Sequence, residues 1–235
     1  MIHGLAASTT IPFLGDVVLA PTSAFKRISP AAGWTRPLAL LTAVSLLVGL
    51  ASVPFTIAII GRVAAAAVND ETLASVQRWL IGIAFLRAGW TIVKVAFLCW
   101  ILWMSLTLKE QALSTRLLMV IATYASLAMV AEDASRIAIV WLRGVDQVRG
   151  PQDLQSYIGL DAFIRTENIG TIGKLLLSKI SIFSLWFVTL IRGGLIGLGG
   201  IAPRTATVTA LLCWIYLLGI QVGMGLVISS VPSRP

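Results

Sequence analysis

Trp79-Leu80-Ile81-Gly82-Ile83-Ala84-Phe85-Leu86-Arg87-Ala88-Gly89-Trp90-Thr91-Ile92-Val93-Lys94 opens a run that stays apolar as far as Leu108, apart from its two cations. A helix needs about 20 residues to cross the hydrocarbon of a bilayer at 1.5 Å per residue, and this run is long enough. Arg87 and Lys94 are seven residues apart. At 3.6 residues per turn that spacing places them within about 20° of one helix face. Cations at membrane depth must face something other than lipid tails, so this face requires shielding by the rest of the chain.

The composition points the same way. Of 235 residues, 57% are hydrophobic and 12% are charged. A soluble domain carries about 25% charged residues, so this chain reads as a polytopic membrane protein. No polar stretch is long enough for a separate soluble domain. The formal charge is +8, but the cations are scattered over helix ends and connectors. They suit anionic lipid head groups rather than nucleic acid. Cys99 and Cys213 both lie in apolar runs and read as buried thiols. His3 is the single histidine, and no metal-ligand spacing appears. No basic leader followed by an apolar core is present, so no cleaved signal is expected.

Outward from that run, the expected fold class is all-α, a five-transmembrane-helix bundle with a short interfacial amphipathic N-terminal helix. Residues 1–36 form the tail and interfacial segment, and residues 37–230 the membrane domain. Residues 1–10 are expected to be disordered. Pro21-Thr22-Ser23-Ala24-Phe25-Lys26-Arg27-Ile28 suits a helix with proline at its first position. Phe25 would dip into the interface, with Lys26 and Arg27 at the head groups. Trp34 marks the start of the first span. The five spans are read at 37–61, 79–108, 114–142, 180–200 and 202–230. Pro54 should kink the first. Val68-Asn69-Asp70-Glu71 reads as a turn or cap before the second. The third carries charges in its second half, or else stops at Val130 with those charges in head groups. Between Arg143 and Lys179 lies the longest polar region, in which Leu154, Tyr157 and Ile158 recur at helical spacing. Lys26, Arg27, Arg36, Lys109 and Arg116 fall on one side; the long connector on the other side also holds six cations, counting Arg136 and Lys179 and nearly offset by acids, and the weight of charge close to the first helix makes the N-terminal side the expected cytoplasmic one.

Two constellations stand out. Gly193 and Gly197 are four apart, as are Gly219 and Gly223. Small residues at that spacing let helices approach closely, so the last two spans are expected to pack through them, or to present them to a second copy. Glu132, Asp133 and Arg136 lie in the third span, and with Arg87, Lys94 and Arg192 they form a candidate intramembrane polar network. Glu132 and Arg136 are four apart and suit an intrahelical ion pair. Register from the connector at Lys109 to Arg116 favours Lys94 over Arg87 as a cross-helix partner for Glu132 or Asp133. The acid pair and arginine are similar to those of intramembrane CAAX-type proteases, but two residues rather than three precede the arginine, and the histidine motifs are absent. No phosphate cradle, nucleophile elbow or dinucleotide fingerprint is present. No catalytic residue, cofactor or metal is therefore expected.

The order of elements resembles the Yip1-domain family of membrane proteins. Pro21 to Ile28 followed by Trp34-Thr35-Arg36-Pro37-Leu38 looks like that family's opening. Thr123-Tyr124-Ala125-Ser126-Leu127 is similar to its Tyr-Ser/Ala-Ser stretch, and Ile182-Phe183-Ser184-Leu185-Trp186 with Gly193 and Gly194 resembles the start of its fourth span. Ser181 stands where many relatives carry an acid. The resemblance implies five spans and a cytoplasmic N-terminus. The chain lacks the long N-terminal region and Asp-Leu-Tyr-Gly-Pro segment of the branch that works with small GTPases, so a bacterial-type member in the inner membrane fits better. The expected function is a non-enzymatic scaffold or accessory subunit, organising membrane or assembling with an export or lipid-transport complex. Its expected partners are anionic lipids and a protein partner or second copy. The alternative is a transporter or channel using the charged network.

Overall fold

Among the described residues seven helices are defined: α1 (Pro21–Arg27), α2 (Thr35–Val63), α3 (Asp70–Thr107), α4 (Thr115–Arg143), α5 (Thr171–Lys179), α6 (Ile182–Gly197) and α7 (Pro203–Ser230). The structure is a computed structural model and describes residues 16–17, 19–28, 33–63, 70–144, 158–160, 163–164 and 170–230. His3 and the leader to Thr10, Val68 and Asn69, and Leu154 and Tyr157 lie outside them. Among the described residues there is no strand, only one isolated bridge between Gly159 and Ser181. Among the described residues four helices, α2, α3, α4 and α7, are long and apolar enough to cross a membrane. The chain is thus an all-α, multi-pass membrane protein.

The local reasons are visible at the helix ends. Ser114 caps α4 by accepting from the Leu117 amide. Ser181 and Ser184 form a reciprocal capping box at the start of α6. In α2, Pro54 removes one donor, and Ser52 and Thr56 on either side turn their hydroxyls onto the carbonyls of Gly49 and Ser52, at 2.6 and 3.1 Å. Helix α4 runs unbroken through Glu132, Asp133 and Arg136, as one of the two sequence readings required.

Half of the apolar window of α4 is buried, against 22–28% in the other three long helices, so α4 is the central element. Leu118, Ile121, Ala122, Ala125 and Ala128 line its inner face. They meet Leu98 and Leu102 of α3 and Leu190, Ile191 and Leu195 of α6 in one core. Helices α2 and α3 are antiparallel: Ser45 and Thr91 share a buried 2.9 Å hydrogen bond, and further along Gly49 abuts Ala84. A second cluster joins Phe55 and Ile59 to Val140, with Trp141 edge-on to Phe55.

Tryptophans mark corresponding levels along the helices. On α3, Trp79 is separated from Trp100 and Trp103 by about 32–36 Å at 1.5 Å per residue, close to the roughly 30 Å hydrocarbon core. Trp141 is level with Trp79, because both lie about 40 Å from the α3–α4 connector. Trp34 is level with Trp100, since Trp34 to Ser45 and Thr91 to Trp100 are both about 15 Å.

Three sequence expectations need correction here. Phe25 does not enter the interface: it is fully buried and packs edge-on against Tyr124 of α4. Helix α1 lies against α6, which offers its apolar face a protein surface in place of lipid. Lys26 and Arg27 do stay exposed, and Arg27 pairs with Asp16 at 2.7 Å. The glycine pairs do not pack on each other. A Cβ at Gly193 would touch Pro21 and Thr22, and one at Gly197 would lie 2.8 Å from Phe25 Cβ and from the Thr22 carbonyl oxygen. At Gly219 and Gly223 it would meet nothing within 4 Å. The close approach thus serves α1, which was too short to be recognised as a packing partner. Finally, the fourth apolar run is a single helix but shorter than the 180–200 expected: α6 has 16 residues, and the separate helix α5 ends just before it at Lys179.

Candidate functional site

The charges of α3 and α4 meet at one depth. Arg87 Nη2 lies 2.6 Å from Asp133 Oδ2, and Arg136 Nη2 lies 2.6 Å from Glu132 Oε1 one turn earlier on the same helix. The second pair is the more enclosed, with side chains 17% and 20% exposed against 37% and 35% for the first. Nearby hydroxyls are turned onto their own helices: Thr91 donates to the Arg87 carbonyl and Ser135 to the Ala131 carbonyl.

The cross-helix pairing uses Arg87 where register from the sequence favoured Lys94. The reason lies in the connector. Helix α3 stops at Thr107 and α4 starts at Thr115, so residues on both sides of the turn are not helical. From those ends Asp133 is about 27 Å deep, Arg87 about 30 Å and Lys94 only about 20 Å. Glu132 is already held by Arg136. Among the described residues, Lys94 makes no ion pair. Arg192 also stands apart from the network. Its Nε donates to Thr207 Oγ1 at 3.0 Å, which ties α6 to α7 near their connector.

Sequence reasoning missed Lys179 as a member of the site. It closes α5, half-buried, just before the helix break. It lines one small cavity together with Glu132. Nothing in the local sequence marks it, because it follows Arg136 by a long connector. A small cavity of about 40 Å³ lies between Glu132, Lys179, Ser184 and Gln221, with Phe187 and Trp214 behind. Beside it runs a larger groove of about 310 Å³ between α3 and α7, walled by Trp90, Phe97, Leu98 and Ile220 and edged by Lys94. Met129, Leu217 and Gln221 belong to both walls.

Chemically the site holds charge in place. Each carboxylate is engaged by an arginine at 2.6 Å. Among the described residues no three His, Cys, Asp or Glu side chains gather as a metal site, and Cys99 and Cys213 are buried and free.

Neither family models, curated proteins nor solved structures match this chain. Its function therefore has to be read from the site.

Proposed function

We propose that the chain is a non-enzymatic integral membrane scaffold or accessory subunit, a bacterial-type member of the Yip1-domain family. In this reading it crosses the inner membrane five times with its N-terminus in the cytoplasm, α5 and α6 together supplying the fourth crossing. It organises lipid or assembles with an envelope export or lipid-transport complex. The observation that carries the proposal is the closure of both acids: Asp133 on Arg87 and Glu132 on Arg136. The Asp133 pair ties α4 to α3, the Glu132 pair closes within α4, and neither of these two acids is left without a cation. Affinity purification of the tagged chain in mild detergent tests the reading. A stoichiometric protein partner is expected, and a chain that purifies alone and drives ion or solute flux in proteoliposomes overturns it.

A second reading, a transporter or channel, draws on one observation. The α5–α6 break sits beside the charges and the small polar cavity. Broken helices at mid-depth are how many transporters build their sites. The same flux assay separates the two.

A further inference from the structure

The groove between α3 and α7 is not explained by packing. Its walls are apolar, from Trp90, Phe97 and Leu98 on one side to Leu217 and Ile220 on the other. Trp90 and Ile220 are 53% and 42% exposed, so the groove opens outward. Trp90 is about 16 Å from Trp79 and about 15 Å from Trp100, midway between the two tryptophan levels. The first thing to meet such an opening is a lipid chain.

The edge of the groove is charged, and the charge is unbalanced. Lys94 is the charged residue of the groove's lining, and Glu132 and Lys179 line the adjoining small cavity. Arg87 and Arg136 take Asp133 and Glu132. Lys94, on the groove itself, makes no ion pair among the described residues, and the Gln221 side chain opposite makes no hydrogen bond among them. An uncompensated cation at this depth calls for an anion.

We propose that this groove seats an anionic phospholipid of the surrounding bilayer, with an acyl chain along Trp90, Phe97, Leu98 and Ile220 and the phosphate head drawn in to Lys94 and Gln221. Lys94 is about 9–14 Å inward of Trp100 and Trp103, so the bound head sits below its neighbours in the leaflet. The bilayer beside α3 is thereby thinned, as membranes respond to a buried cation. The site deepens the scaffold reading and rests on it for the membrane setting, since it gives the chain a means of organising lipid.

The test uses the full chain in nanodiscs of phosphatidylcholine mixed with phosphatidylglycerol, with retained lipid counted by native mass spectrometry. Wild type should retain phosphatidylglycerol over phosphatidylcholine. Lys94→Gln should lower that preference about fivefold, and Lys94→Arg should keep it. Ser126→Leu, which fills the groove floor and removes only a hydroxyl bonded within its own helix, should lower retention of both lipids. Equal retention of the two lipids by wild type overturns the proposal without recourse to any variant. A preference that Lys94→Gln does not move overturns it as well. So does displacement of the lipid by millimolar inorganic phosphate, which would make this a site for a free anion, or a polypeptide crosslinked at Val93. These outcomes leave the scaffold reading standing, because that is decided by co-purifying proteins rather than by lipid.

Discussion

Glu132 and Asp133 are neighbours in sequence, yet they hold different arginines. On a helix, adjacent residues point about 100° apart, so one looks along its own helix to Arg136 and the other across to α3. That the acids of the third apolar run meet a cation of the second was legible from antiparallel geometry. Which cation was not, because the answer turned on where the helices stop inside the connector. The two pairs predict distinct mutational behaviour. Arg87→Gln and Asp133→Asn should each destabilise the protein by about 1–3 kcal/mol, between the values for exposed and buried pairs, since these side chains are about one third exposed. Removing both partners should be no worse than removing one, and the reversal Arg87→Asp with Asp133→Arg should recover part of the loss. Lys94→Gln should lie within about 0.5 kcal/mol of wild type. Chemical unfolding in detergent measures all of these. Additive losses in the double variant, or a loss at Lys94 equal to that at Arg87, would show that the cross-helix pair contributes nothing.

At the scale of elements, the glycines teach the same lesson in packing. The spacing of Gly193 and Gly197 announced a close approach, and one exists, but the partner is α1. A seven-residue helix carries too weak a signal to be chosen over a neighbouring span. Its Pro21, Thr22 and Phe25 fill the space that glycine opens, and Phe25 continues inward to Tyr124. Helix α5 was missed for a related reason, since nine residues give little periodicity. The expected asymmetry between the two glycine pairs is large. At Gly197 a side chain would press on Phe25 Cβ and on the backbone of Thr22 and Lys26, at 2.8–3.1 Å, and backbone yields only if α1 moves. Gly197→Val should therefore cost about 1–3 kcal/mol in the same unfolding measurement. Gly219→Leu meets open space and should stay within about 0.5 kcal/mol. A Gly219→Leu loss that matches Gly197→Val would place these positions in an interface between copies.

For the whole molecule the question is how many times the chain crosses. Length and apolarity identify four crossings, and α6, at about 24 Å, falls short of the hydrocarbon thickness. The positions of the other helices supply the missing argument. Trp34 is level with Trp100, so α2 starts at the end of the bundle where the α3–α4 connector lies. Helix α3 returns to that end, and α4 leaves it, reaching the level of Trp79 at Trp141. Helix α7 starts at the connector end again: Lys109, in the connector, donates to Thr209 at 3.1 Å. Between Gly144 and Pro203 the chain must therefore return from one end to the other. Among the described residues only α5 and α6 lie on that path, and the carbonyl of Ile180, freed at the break, is taken by the Leu160 amide. Irregular backbone at depth is tolerated where protein satisfies it in this way. On that path the proposal above places the remaining crossing, which sets the termini on opposite sides. Reporter fusions after Arg36 and after Pro232 should accordingly register in different compartments, and a fusion after Ala202 should agree with the one after Arg36. Lys26, Arg27, Arg36, Lys109 and Arg116 share that end, so the Arg36 and Ala202 fusions should both be cytoplasmic. If the fusions after Arg36 and Pro232 report the same compartment, α6 does not complete a crossing, and the placement of α7 against Lys109 must be wrong with it.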